Sequence, residues 1–142
     1  MSMLSQLLDA KGRDVYAVPA SASVLDAIRQ MAERHIGALL VIEEGKLIGI
    51  VSERDYARKV VLMGRSSTTT AVREIMSAPV ITASPGQTVD AAMRAMTNHR
   101  IRHLPVVREG RVLGVVSIGD LVKSVIEEQR HTIEDLQSYI QG

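Results

Sequence analysis

Slid against itself by 65 residues, the sequence aligns Ser23–Arg58 with Thr88–Lys123 without a gap. Identical pairs include Val24/Val89, Ala27/Ala92, Met31/Met96, Ile36/Ile101, Gly45/Gly110, Gly49/Gly114, Ser52/Ser117 and Asp55/Asp120. A shared taste for Val and Gly does not explain the match, because the turn glycines and the Ser–Asp spacing coincide too. Such a chain folds as two copies of one supersecondary unit, packed to bury a common face.

Each copy reads in the same order. A β-prone stretch, Val15–Val18 or Val80–Thr82, runs into a turn at Pro19 or Pro85. Ser23 and Thr88 suit helix N-caps. The apolar residues Val24, Ala27, Ile28, Met31 and Val89, Ala92, Met93, Met96 then recur at helical spacing on one face. Two short apolar runs follow on either side of Glu44-Gly45 or Glu109-Gly110, where Gly accepts the positive φ of a hairpin turn. Their near-continuous Leu, Val and Ile content predicts strands covered on both faces. A second helix carries Tyr56, Ala57, Val60, Val61 or Leu121, Val122, Val125, Ile126. The unit is β-α-β-β-α, twice, an α/β fold of two pseudo-symmetric repeats packed sheet to sheet as one module. The polar stretch 65–71 reads as a linker or mobile loop. Leu4, Leu7 and Leu8 suggest a small covering helix, and Ile133, Leu136 and Ile140 a stripe that extends the last one.

The strands must be aliphatic, since 46% of the residues are hydrophobic yet include no Phe, Trp or Cys and only three Tyr. Without cysteine there is no disulfide framework, Cys-based zinc site or thiol nucleophile. A net charge of +1 and the lack of aromatics argue against a stacking platform for nucleic acid. Apolar runs such as Ala38–Ile42 fall far short of the roughly 20 residues that cross a bilayer, so no membrane partner is expected. The N-terminal sequence has no basic segment before an apolar core, and the expected location is cytoplasmic.

The sharpest motif is Gly49-Ile-Val-Ser52-Glu-Arg54-Asp55, repeated as Gly114-Val-Val-Ser117-Ile-Gly-Asp120. A strand ends and a helix starts there, with a hydroxyl and a carboxylate in its first turn. Ser-x-x-Asp matches a capping box. The same geometry also suits a ligand, because free N–H groups at a helix start favour phosphate and an Asp accepts ribose hydroxyls. Both roles can coexist. His99 and His103 lie four apart with no acid to complete a metal set. No phosphate-binding Gly-rich Lys motif is present, and nothing orients a Ser–His–Asp set.

The β-α-β-β-α order, Ile101-Arg-His-Leu-Pro-Val-Val107, the Gly-x-x-Ser-x-x-Asp ends and Val72-Arg-Glu-Ile-Met76 together resemble cystathionine β-synthase (CBS) domains in tandem, the Bateman module. The resemblance spans roughly Ala10 to Ile126. It divides the chain into a first repeat over 10–64, a linker over 65–71, a second repeat over 72–128 and a helical extension over 129–142. It implies a regulatory module that binds an adenosine compound (AMP, ADP, ATP, NAD(H) or S-adenosylmethionine) in clefts between the repeats, forms a homodimer and has no catalytic residues. Carried onto matching positions, Asp55 and Asp120 would hold ribose hydroxyls, with Ser52, Arg54 and Ser117 near ribose or phosphate. The backbone at Tyr16-Ala17 and Ile81-Thr82 would meet the adenine edge, and Ile36 and Ile101 its faces. The basic pair before the second strand is Arg102-His103 in the second copy but Gly37-Ala38 in the first.

That difference extends to charge. Between Arg94 and Arg111 the second copy is strongly basic, while the matching window of the first is balanced. One nucleotide per chain is therefore expected to bind most tightly, its phosphates near Arg102 and His103. Lacking an effector domain in this sequence, the module would act in trans on a protein effector not yet identified. Two other classes stay open: a small nucleotide-acting hydrolase, and a scaffold whose basic second copy binds a partner or nucleic acid.

Overall fold

The computed structural model describes residues 2–141, which form two compact units. One runs from Val15 to Val80, and the other joins the residues up to Asp14 with those from Ile81 on. The elements are α1 (Leu4–Lys11), β1 (Ala17–Val18), α2 (Val24–Arg34), β2 (Ala38–Glu43), β3 (Lys46–Ser52), α3 (Glu53–Tyr56), α4 (Val89–His99), β4 (His103–Arg108), β5 (Arg111–Ser117) and α5 (Ile118–Gln141).

Both repeats are built by the residues that the pattern singles out. Ser23 Oγ accepts the Asp26 amide and Thr88 Oγ1 the Ala91 amide, each at 3.1 Å, opening α2 and α4. Both helices end on a residue in the left-handed region, His35 and Arg100, each with φ 55° and ψ 44°. The hairpins β2–β3 and β4–β5 turn at Glu44-Gly45 and Glu109-Gly110, all four with positive φ as a two-residue type I′ turn demands. Each hairpin also shifts register once, at Val41/Ile42 and at Val106/Val107.

In the Val15–Val80 unit, β1 pairs in parallel with β2, giving the order β1-β2-β3. The second copy departs from the expected strand at Val80–Thr82: only one parallel bridge, Ala83 to Val106, forms there. Proline explains the loss. The Leu40 amide donates to Tyr16 O at 3.1 Å, whereas its counterpart Pro105 has no N–H to give Ile81.

The cores are aliphatic, with Val24, Met31, Leu39 and Val51 buried in one unit and Leu104, Val106, Val116 and Leu121 in the other. α1 belongs to the second of these. Leu4 and Leu8 are fully buried there, and the Leu4 and Ser5 amides donate to Gln87 O and Pro85 O. A Cβ on Gly114 would come within 2.7 Å of Leu8, so the glycine is what lets this helix approach the strand. In the other unit Met76 lies over Gly49 in the same way.

The second helix of the first copy is shorter than its pattern suggests, passing after Tyr56 into a π-type turn over Ala57–Val61, while α5 runs 24 residues unbroken. The stretch 65–71 is irregular but tied to its own unit rather than loose. Arg65 pairs with Glu74 at 2.6 Å, Thr70 is buried, and the Val24 and Leu25 amides donate to Thr70 O and Ser67 O.

Candidate functional site

The strand–helix junctions carry the chemistry. At the end of β3, Ser52 Oγ accepts the Asp55 amide at 3.2 Å while Asp55 Oδ2 accepts the Ser52 amide at 2.9 Å. At the end of β5, Ser117 and Asp120 repeat the exchange at 3.1 and 2.8 Å. Both are complete capping boxes. The acids are thus half-engaged by the backbone, which fixes their side chains at the helix starts, with Asp120 26% and Asp55 15% exposed.

Each acid also meets a lysine, and the two lysines come from different places. Asp55 Oδ1 faces Lys59 Nζ at 3.2 Å, one helical turn on, and Lys59 also donates to Ile75 O at 2.9 Å. Asp120 Oδ2 accepts Lys11 Nζ at 2.5 Å from the end of α1, 109 residues away in sequence, and Lys11 also donates to Val115 O at 2.7 Å. Burial pushes the Asp120 carboxyl up, but the bonds from Lys11 and the Ser117 amide outweigh it and hold it below the ordinary aspartate value. Sequence reasoning nominated neither lysine. Lys59 was findable from its spacing of four from Asp55, whereas nothing local marks Lys11.

The β4–β5 register sets His103 directly opposite Ser117, where the first copy has Ala38 opposite Ser52. Burial, joined by the charges of Lys11 and Arg102 and opposed by Asp120, lowers the His103 pKa, so near neutral pH the ring offers hydrogen bonds but no charge. Arg102 is exposed, and its carbonyl accepts the Ile118 amide at 2.9 Å as Gly37 O accepts the Glu53 amide at 3.0 Å. The second copy therefore gathers Arg102, His103, Ser117 and Asp120 with Lys11 at one junction. Lys11 and Asp120 also line a groove of about 690 Å³ between α1 and α5, so the pair is accessible from solvent.

The remaining predicted residues lie further along each repeat. Arg54 is half-buried in the first turn of α3. Ala17 pairs with Leu40, and the Tyr16 ring carries the Arg34 guanidinium 4.1 Å above its centroid. Ile36 and Ile101 are half-buried against their own cores, as is Ile81, and Thr82 is exposed. Among the described residues no group of three His, Asp or Glu could hold a metal ion, and no helix is long and apolar enough to cross a membrane.

The solved structure of a CBS-domain protein from Burkholderia ambifaria MC40-6 superposes with a TM-score of 0.87 at 53% identity, covering 90% of this chain and 96% of that one. The CBS domain pair of protein MJ0100, in complex with 5'-methylthioadenosine and S-adenosyl-L-methionine, gives 0.80 at 25% identity over 90% and 98% of the two chains. CBS domain protein PAE2072 from Pyrobaculum aerophilum, complexed with AMP, gives 0.75 at 27% identity over 84% and 89%. The CBS domain-containing protein CBSX3, mitochondrial, of Arabidopsis thaliana is 44% identical over 125 residues, 84% of this chain but 61% of the plant protein, so the chain spans less than two thirds of that relative. The CBS domain model matches residues 9–62 and 72–127, once on each copy, and by these matches the chain belongs to the CBS domain family.

Proposed function

We propose that this protein is a non-catalytic sensor of adenosine nucleotides, with AMP, ADP or ATP as ligand and NAD(H) or S-adenosylmethionine as chemical relatives, working as a homodimer on a protein effector in trans. The observation that carries this reading is the junction itself, a serine hydroxyl and an oriented carboxylate at a helix start, formed in both copies. Similar proteins complexed with AMP and with S-adenosyl-L-methionine support the ligand class. In this scheme Asp55 and Asp120 take ribose hydroxyls, Ser52, Arg54 and Ser117 stand by the phosphate, and Ile36 and Ile101 flank the adenine. The second copy binds more tightly, because Arg102 and His103 flank its acid where the first copy has Gly37 and Ala38.

Thermal unfolding with AMP tests the assignment. Ligand at 100 times its Kd stabilises the native state by about 2.7 kcal/mol. Asp120→Asn, which leaves an acceptor for the Ser117 amide, should lose most of that gain, and Asp55→Asn less. If both variants keep the full AMP-induced shift, the acids only cap their helices and the ribose assignment is wrong. Incubation with ATP and Mg²⁺ should yield binding without turnover. Nucleic-acid binding that collapses with salt and ignores AMP would instead favour the scaffold.

A further inference from the structure

Lys11 has no charged counterpart in the first copy, where Val72–Met76 fill the place of Leu4–Leu8 and are followed by Ser77-Ala78-Pro79. The residue matching Lys59 is Ser124, which carries no charge, so the second copy lacks the lysine that faces Asp55. The strand edge differs as well. Ile50 exchanges two backbone bonds with Ser77, at 2.9 and 3.1 Å, whereas the matching carbonyl of Val115 takes a lysine ammonium. One side chain thus fills both gaps. It is delivered by a firmly anchored helix, since Leu4, Leu7 and Leu8 are buried immediately before it.

From this geometry we infer that Lys11 is a positioning residue that sets the charge preference of the Asp120 site, making it select phosphorylated over uncharged adenosine compounds. The inference rests on the ribose role proposed for Asp120. The 5′-phosphate of a mononucleotide lies well within one Debye length of its own ribose hydroxyls, so an unpaired carboxylate holding the ribose would repel the phosphate with little screening. The Lys11 ammonium cancels that charge at its source. Of its three N–H donors, Val115 O and Asp120 Oδ2 take two, and the third can meet the ligand. Asp120 Oδ2 is filled by Lys11 and the Ser117 amide, which leaves Oδ1 for the ribose.

The test compares AMP with adenosine by titration calorimetry on the full chain, as wild type, Lys11→Met and Lys11→Arg. For wild type, AMP should bind more tightly than adenosine. In Lys11→Met the AMP-to-adenosine affinity ratio should fall about tenfold, the size expected for one charge pair at a partly exposed site. Lys11→Arg should restore most of it. An unchanged ratio, or an equal loss of both ligands, would show that Lys11 only staples α1 in place and would overturn the inference. Wild-type protein that binds neither compound would overturn the adenosine reading itself, a result distinct from a constant ratio.

Discussion

The two copies of the repeat share their turns, caps and capping boxes, and they part company where backbone donors are lost. In the first copy the Ala20 amide donates to Glu43 at 2.7 Å; in the second those positions are Pro85 and Arg108, with neither the donor nor the acid. Leu40, whose amide pairs β2 with β1, becomes Pro105. Ala38 becomes His103, and Lys59 becomes Ser124. Around these changes α1 keeps the shared plan and adds one side chain to it. It fills the place that Val72–Met76 fill in the first unit, with Ser5 bonding Pro85 O as Arg73 bonds Ala20 O and Leu8 covering Gly114 as Met76 covers Gly49, and Lys11 then reaches Val115 and Asp120. Duplicated units can therefore hold one backbone plan down to the segment that completes it, while the side chains that segment delivers make their charge environments differ.

The contrast can be broken most severely at the α1 anchor. Leu8→Ala should cost about 2–5 kcal/mol of unfolding free energy, since Leu8 is wholly buried over Gly114. Met76→Ala, at the partly buried counterpart over Gly49, should cost less. Urea melts of the two variants decide it, and equal losses would mean that α1 merely substitutes for Met76.

A smaller effect should follow from His103→Ala, which installs the first copy's residue. The folded state resists protonating His103, so the unfolded chain takes up that proton first as pH drops below the ordinary value of about 6.5. Wild-type stability should accordingly be fully present above that pH and decline below it. Urea midpoints at pH 7.5 and 5.5 should separate more in wild type than in the variant, and identical separations would exclude His103 as the cause.

The mildest test sharpens the hairpin ends. Glu43 faces Lys46 in the first copy, but Arg108 faces Arg111 in the second. Arg108→Glu should stabilise the protein by roughly 0.2–1 kcal/mol by removing a like-charge pair. A loss in the same melts would show that repulsion between the two arginines does not limit this hairpin end.

Much of this was legible in the sequence because it is local. The N-caps, the Glu-Gly turns and the Ser-x-x-Asp boxes depend on residues within four positions, and each forms as its spacing dictates. The missing strand at Val80–Thr82 has its signal on the partner strand, where Pro105 cannot give a ladder bond. The partnership of Lys11 with Asp120 had none. A contact across 109 residues leaves no period to detect, and α1 reads from sequence only as a short amphipathic helix in need of some surface.

α5 begins with Asp120 in its first turn and continues without interruption to Gln141. Its 24 residues span about 36 Å, so the helix is a lever whose short arm lies at the junction. A tilt of only about 10° about that first turn carries the far end through roughly 6 Å, the pitch of one helical turn. The first copy, which breaks into a π-type turn after Tyr56, has no such arm. Mechanical output from this protein would be read at Leu136 and Ile140, at the far end of the helix from the Ser117–Asp120 junction.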